Sequence, residues 1–158
     1  MTLIQKKPSG ILRALFRAPI LFYRMNLGFL LGRRFLMLTH VGRKSGLPRQ
    51  TVIEVVDHDK ESGIYYVAAA WRIKSDWYQN ILQNPRVTFQ VGKMKFEAEA
   101  VQTSAKEAEL IYWAYAQKHP FAMRELSSLM LGERVPPTRQ TCKRLSESIP
   151  LIALKPAF

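Results

Sequence analysis

Residues 35–56 read FLMLTHVGRKSGLPRQTVIEVV, two apolar runs rich in β-formers around a short basic turn. Phe35 to Thr39 and Val52 to Val56 each have strand composition, so His40 to Thr51 between them is a strand-to-strand connection. Within it, Gly42 and Gly46 admit backbone conformations closed to other residues, and Pro48 fixes one dihedral. Arg43, Lys44 and Arg49 put three cations around that turn, and Ser45 adds a hydroxyl. Backbone N–H groups freed by glycines, beside guanidinium and ammonium groups, suit phosphate or carboxylate oxygens. The same residues also describe a solvated basic hairpin tip lying outside the core, and one short motif does not choose between the two.

The chain around this stretch has 158 residues and is 47% hydrophobic, which suits one domain with a real core, as a monomer or homodimer. A lone cysteine, Cys142, excludes an internal disulfide framework, and His40, His58 and His119 are too scattered for metal-ligand spacing. A cytoplasmic, metal-free protein is expected. The net charge of +12 is uneven: residues 1–50 hold ten Lys or Arg and no acid, the first being Glu54. That asymmetry points to an anionic membrane surface, nucleic acid or a polyanionic ligand. With no recognised nucleic-acid motif, the second of these rests on charge alone.

Upstream, Arg13, Arg17 and Arg24 recur at spacings of four and seven in an otherwise apolar run that Pro19 interrupts. The longest uncharged stretch, Met25 to Gly32, has eight residues, against roughly 20 needed to span a bilayer. Arginines inside the apolar run, with no small-residue cleavage site after it, argue against a secretory signal. Residues 1–33 are therefore expected to be a basic amphipathic helical segment, packed on the domain with peripheral contact to the inner face of an anionic membrane.

Downstream, Ile64 to Ala70 reads as a third strand ending in small residues, which allow close approach to the backbone. Asp76 followed by Gln79 resembles a capping box and starts a short helix that stops at Asn84-Pro85, with Trp77 and Tyr78 in its first turn. Val87, Phe89 and Val91 alternate with polar residues, Gly92-Lys93 suits a two-residue hairpin, and Met94, Phe96 and Ala98 resume the alternation. Ser104 with Glu107 forms another capping box ahead of a helix ending at His119-Pro120. Further helices are expected over 121–131, closed by Gly132, and 138–148, then a final strand over 149–154. Antiparallel, hairpin-linked strands interrupted by short helices make a small α+β barrel.

No glycine-rich dinucleotide fingerprint, Walker loop or hydrolase elbow is present, so a bound cofactor is the expected source of any chemistry. Gly42-Arg43-Lys44-Ser45-Gly46 with Pro48-Arg49, Trp77-Tyr78-Gln79-Asn80-Ile81 with Asn84-Pro85, and Ile149-Pro150-Leu151-Ile152 together resemble the deazaflavin (F420)-dependent nitroreductase and quinone reductase family. The resemblance runs across residues 35–103 and returns at the C-terminus. It implies a split β-barrel of the FMN-binding type over residues 34–158, and coenzyme F420 as the cofactor. By position, Arg43, Lys44, Ser45, Gly46 and Arg49 would hold its phosphate and oligoglutamate tail. Thr51, Ala69, Ala70, Trp77 and Asn80 would lie near the ring or its linker, with Trp71 and Tyr115 on the side of a small-molecule acceptor.

Two departures stand beside that resemblance. Relatives that reduce nitroimidazoles and quinones carry tyrosines in the C-terminal segment facing the ring, whereas residues 116–148 here contain none, and Glu54 stands where those relatives have a tyrosine on the second strand. Three readings follow: an F420-dependent oxidoreductase acting on a quinone, enone or nitro compound, an FMN-binding split-barrel oxidoreductase, and a non-catalytic, membrane-associated binding protein for a cofactor or lipid. Fold analogy alone does not choose among them.

Overall fold

The computed structural model describes residues 19–21, 23–25, 32–70 and 74–157, the side chain of Leu129 excepted. Arg13, Arg17 and Trp71 lie outside these residues. Six strands form the sheet: β1 (Phe35–Val41), β2 (Pro48–His58), β3 (Tyr65–Ala68), β4 (Arg86–Val91), β5 (Met94–Gln102) and β6 (Leu151–Pro156). Every pairing is antiparallel, and the order β1-β2-β3-β6-β5-β4 closes on itself, because β4 also pairs with β1. Closure leaves no exposed sheet edge. Among the described residues, four helices that follow β3 flank the barrel: α1 (Asp76–Gln83), α2 (Ala105–Lys118), α3 (Pro120–Leu131) and α4 (Arg139–Ser148).

Strand periodicity decides which side chains fill the barrel. Leu36 and Leu38 of β1, Tyr65 and Val67 of β3, Phe89 of β4, and Ile152 and Leu154 of β6 form its interior. Helix α1 closes one end by adding Tyr78 and Ile81 to that cluster. The alternate residues Tyr66, Leu151 and Ala153 face outward, where α2, α3 and α4 bury them against Tyr112, Met123 and Leu145. Covered on both faces, β6 reads as a continuous apolar run rather than an alternating one. The Tyr112 hydroxyl donates to the carbonyl of Ile149 at 3.2 Å, which ties α2 to the start of that strand. Residues 19–21, 23 and 24 are helical, with Met25 in a turn, and Ile20 and Tyr23 pack on Met37 with Val52 beside them. Among the described residues no helix is long and apolar enough to cross a membrane.

Helix ends follow local chemistry, with one difference from the sequence expectation. Ser104 accepts from the Glu107 amide at 3.1 Å and Thr138 from the Thr141 amide at 3.2 Å, whereas Gly132 ends α3 with φ of 72°. Asp76, however, is the first residue of α1 and not its cap; Ser75 holds that position and makes no side-chain capping bond. The Asp76 carboxylate turns to Arg43 instead, 3.5 Å away. Ser104→Ala should cost about 1 kcal/mol, read as a lower urea midpoint at unchanged slope. An unchanged midpoint would mean that this cap contributes nothing to the fold.

Candidate functional site

Strand β2 has no sealed face. Its residues from Gln50 to His58 are all half-buried, an unusual state for a central strand, because a cleft of about 770 Å³ runs along it. At one end stand the β1–β2 loop and the start of α1, with Arg43, Lys44, Ser45, Arg49, Trp77 and Asn80 on the wall. At the other end Phe35, Val56, Leu126 and Met130 make an apolar wall around Glu54 and Tyr115. Thr51 and Ala70 lie on the wall as well, and Pro19 and Ile20 reach it from the N-terminal helical residues.

The loop is a self-bonded turn. Gly42 N–H donates to the Leu47 carbonyl at 2.9 Å and Gly46 N–H to the Gly42 carbonyl at 2.8 Å, so the glycine amides are spent inside the loop and are not free for an anion. Within the loop, the amides of Lys44 and Ser45 have no partner among the described residues. A Cβ on Gly42 would stand 2.6 Å from Ser45 Oγ, the atom that accepts the Leu47 amide, and Gly46 has φ of 68°. Gly46 is thus required by the turn's backbone, and a side chain at Gly42 would displace the Ser45 hydroxyl from the Leu47 amide. Lys44 and Arg49 are exposed, but Arg43 is not a free hairpin-tip charge: its side chain is 21% accessible and its guanidinium is engaged by Asn80 and Asp76.

Asn80 organises this end. Its Oδ1 accepts both the Arg43 amide, at 3.0 Å, and Arg43 Nη1, at 2.9 Å. Two donors on one oxygen fix which way the amide faces, so Nδ2 meets His40 Nδ1, 3.0 Å away. An amide nitrogen only donates; His40 is therefore the acceptor, neutral, with its proton on Nε2. Burial agrees, since His40 is 4% exposed and its pKa is lowered to about 4, chiefly by desolvation and further by Arg49, against the opposing pull of Asp76. His40 was missed as a site residue in the sequence, although Leu36, Leu38 and His40 share one parity on β1. A polar residue ending an inward row needs a partner, and Asn80 supplies it.

At the opposite end the Tyr115 hydroxyl donates to Glu54 Oε1 at 3.2 Å, and Arg34 Nε lies 3.2 Å from the same oxygen. Burial, then the Glu54 charge, pushes the Tyr115 phenol up to about 12. Of the residues expected at the site, Ala69 does not reach the cleft. It is fully buried in the barrel core, while Ala68 and Ala70 on either side line the cleft. Gly46 shapes the turn without being part of the wall.

Residues 15–124 match the F420H(2)-dependent quinone reductase family. The chain belongs to that family. Reduced coenzyme F420 is the reductant of F420H(2)-dependent quinone reductases, which places the chain among F420-dependent reductases. Solved structures agree on the fold. An F420-H2 dependent reductase (FDR-A) is 20% identical, with a TM-score of 0.54, over 78% of this chain and 96% of that one. A protein described as a domain-swapped dimer is 18% identical, with a TM-score of 0.56, over 87% and 100%. A pyridoxamine 5'-phosphate oxidase-related, FMN-binding protein from Nostoc punctiforme PCC 73102 is 13% identical, with a TM-score of 0.55, over 97% and 82%. The architecture is therefore the split barrel shared by F420- and FMN-binding proteins.

Proposed function

We propose that this F420-dependent reductase acts in the cytoplasm on an electron-poor acceptor, a quinone, enone or nitro compound, with the deazaflavin tail on the β1–β2 loop and the acceptor at the apolar end. The observation that carries the reading is the polarity of the cleft along β2: exposed Lys44 and Arg49 and the unpartnered Lys44 and Ser45 amides at one end, apolar side chains at the other. That donor set fits a phosphate with several carboxylates better than a single phosphate. When bound, reduced F420 supplies the hydride. The chain's own residues do the rest. Arg49 and Lys44 hold the anionic tail, Trp77 and Ala70 line the cleft beside the cofactor, and Phe35, Leu126 and Met130 keep water from the reacting end.

The acceptor class is tested by mixing the protein with reduced F420 and, in turn, menaquinone analogues, enones and nitroaromatics under anaerobic conditions. Oxidation of the cofactor with at least one class is expected. Tight binding without turnover on any of them would overturn the enzyme reading in favour of a membrane-associated binding protein. Leu21 and Met25, exposed on either side of Arg24, are the features that favour that second reading.

A further inference from the structure

Glu54 and Asp76 are the acidic residues on the wall of the cleft. Asp76 is paired with Arg43, at the cationic end. Glu54 lies five residues along β2 from Arg49, about 16 Å at strand rise, and so belongs to the acceptor end. Its Oε1 takes both the Tyr115 hydroxyl and Arg34 Nε, which holds the carboxylate in one orientation. Among the described residues Oε2 has no hydrogen-bond partner, and the side chain is 39% accessible. The neighbouring wall residues Phe35, Val56, Leu126 and Met130 have no polar side-chain atoms to offer. Tyr115 is neutral at physiological pH and its hydroxyl donates its one hydrogen bond to Glu54, so its oxygen too is left as an acceptor.

Among the described residues, the cleft wall at this end therefore presents hydrogen-bond acceptors, and the nearest donor, Arg34, lies off the wall with its Nε on Oε1. We propose that Glu54 makes the cleft selective for acceptors that carry an N–H or O–H donor, or a positive charge, on the conjugated ring. A quinone with only carbonyl oxygens has no donor for Oε2 and gains nothing from it. The inference rests on the reading that this end of the cleft receives the acceptor.

The test compares 2-amino-1,4-naphthoquinone with unsubstituted 1,4-naphthoquinone in wild type and Glu54→Gln. The variant keeps an oxygen for Tyr115 and Arg34 but puts an amide donor where Oε2 was. Equilibrium binding of both quinones is measured by calorimetry on the cofactor-free protein, then KM and kcat with reduced F420. Expected is a loss of about tenfold in the variant's affinity for the amino compound, the scale of one charge-assisted hydrogen bond, with the unsubstituted quinone unchanged or bound more tightly. The change should appear in KM rather than kcat. Parallel losses for both quinones, or an unchanged ratio, would overturn the proposal. Failure of the wild type to bind F420 would fall on the cofactor reading alone, because the cofactor-free titrations still read the selectivity.

Discussion

Replacing Lys44 and Arg49 together by alanine weakens F420 binding roughly ten- to several-hundred-fold and leaves thermal stability unchanged. Each exposed cation on a multiply anionic tail should contribute about 0.5 to 2 kcal/mol, between a surface ion pair and a charge-assisted hydrogen bond. Two such contacts give that range of affinity. Neither side chain is buried, and the one contact that Arg49 makes in the turn, to Ser45 Oγ at 3.5 Å, is weak, so the fold loses little. Arg43→Ala is a different variant. It removes a donor from buried Asn80 and should lower stability as well as affinity, so it does not isolate the tail contact. FMN, with one phosphate and no glutamates, should lose less affinity in the double variant than F420 does. Added salt should erode wild-type F420 affinity more than the variant's, since exposed pairs are screened over roughly 8 Å at physiological ionic strength. Calorimetric titration of both proteins with both cofactors at two salt concentrations decides it. Equal F420 affinities would remove this loop as the tail site.

How far the sequence foretold this site depends on the range of each interaction. The strands flanking the loop, the 87–98 hairpin and the Ser104 cap rest on neighbours within a few residues, and each stands where local chemistry put it. Barrel closure pairs β1 with β4 and β3 with β6, and no local pattern specifies those registers. The Tyr115–Glu54 bond joins residues 61 apart and was equally invisible, though Glu54 stood out as a departure from the family pattern. Two placements follow from alternation. Of Ala69 and Ala70, both expected near the ring, Ala69 continues the inward row of Tyr65 and Val67 just past the end of β3 and joins the core, while Ala70 lines the cleft. The same alternation on β1 would have flagged His40.

His40 also carries the second large effect, a loss of stability in acid that a His40→Asn variant lacks. The folded-state pKa is lowered to about 4 from 6.5, so between those values the unfolded chain binds a proton that the folded chain refuses. The stabilisation is complete above pH 6.5 and is lost as pH falls toward 4. At 1.36 kcal/mol per unit it amounts to about 3 kcal/mol over the whole window. Asparagine puts Oδ1 near the place of Nδ1, so it can still accept from Asn80 Nδ2, but it does not titrate. His58, lowered in the same direction, is present in both proteins and cancels in the comparison. Urea unfolding at pH 7.5, 6 and 4.5 should therefore show the gap between wild type and variant shifting by about 2 to 3 kcal/mol against the wild type as acid is added. Parallel pH profiles would show that His40 titrates normally and that the orientation assigned to Asn80 is wrong. The consequence reaches the cofactor, because a protonated Nδ1 turns a donor toward the donor Nδ2. Asn80 must then rotate or withdraw, and either movement takes Oδ1 from the Arg43 amide and guanidinium that it holds. Acid thus loosens the β1–β2 loop through a residue that need not touch the ligand, and F420 affinity should fall as pH approaches 4, where folded His40 takes up its proton, more steeply in wild type than in His40→Asn.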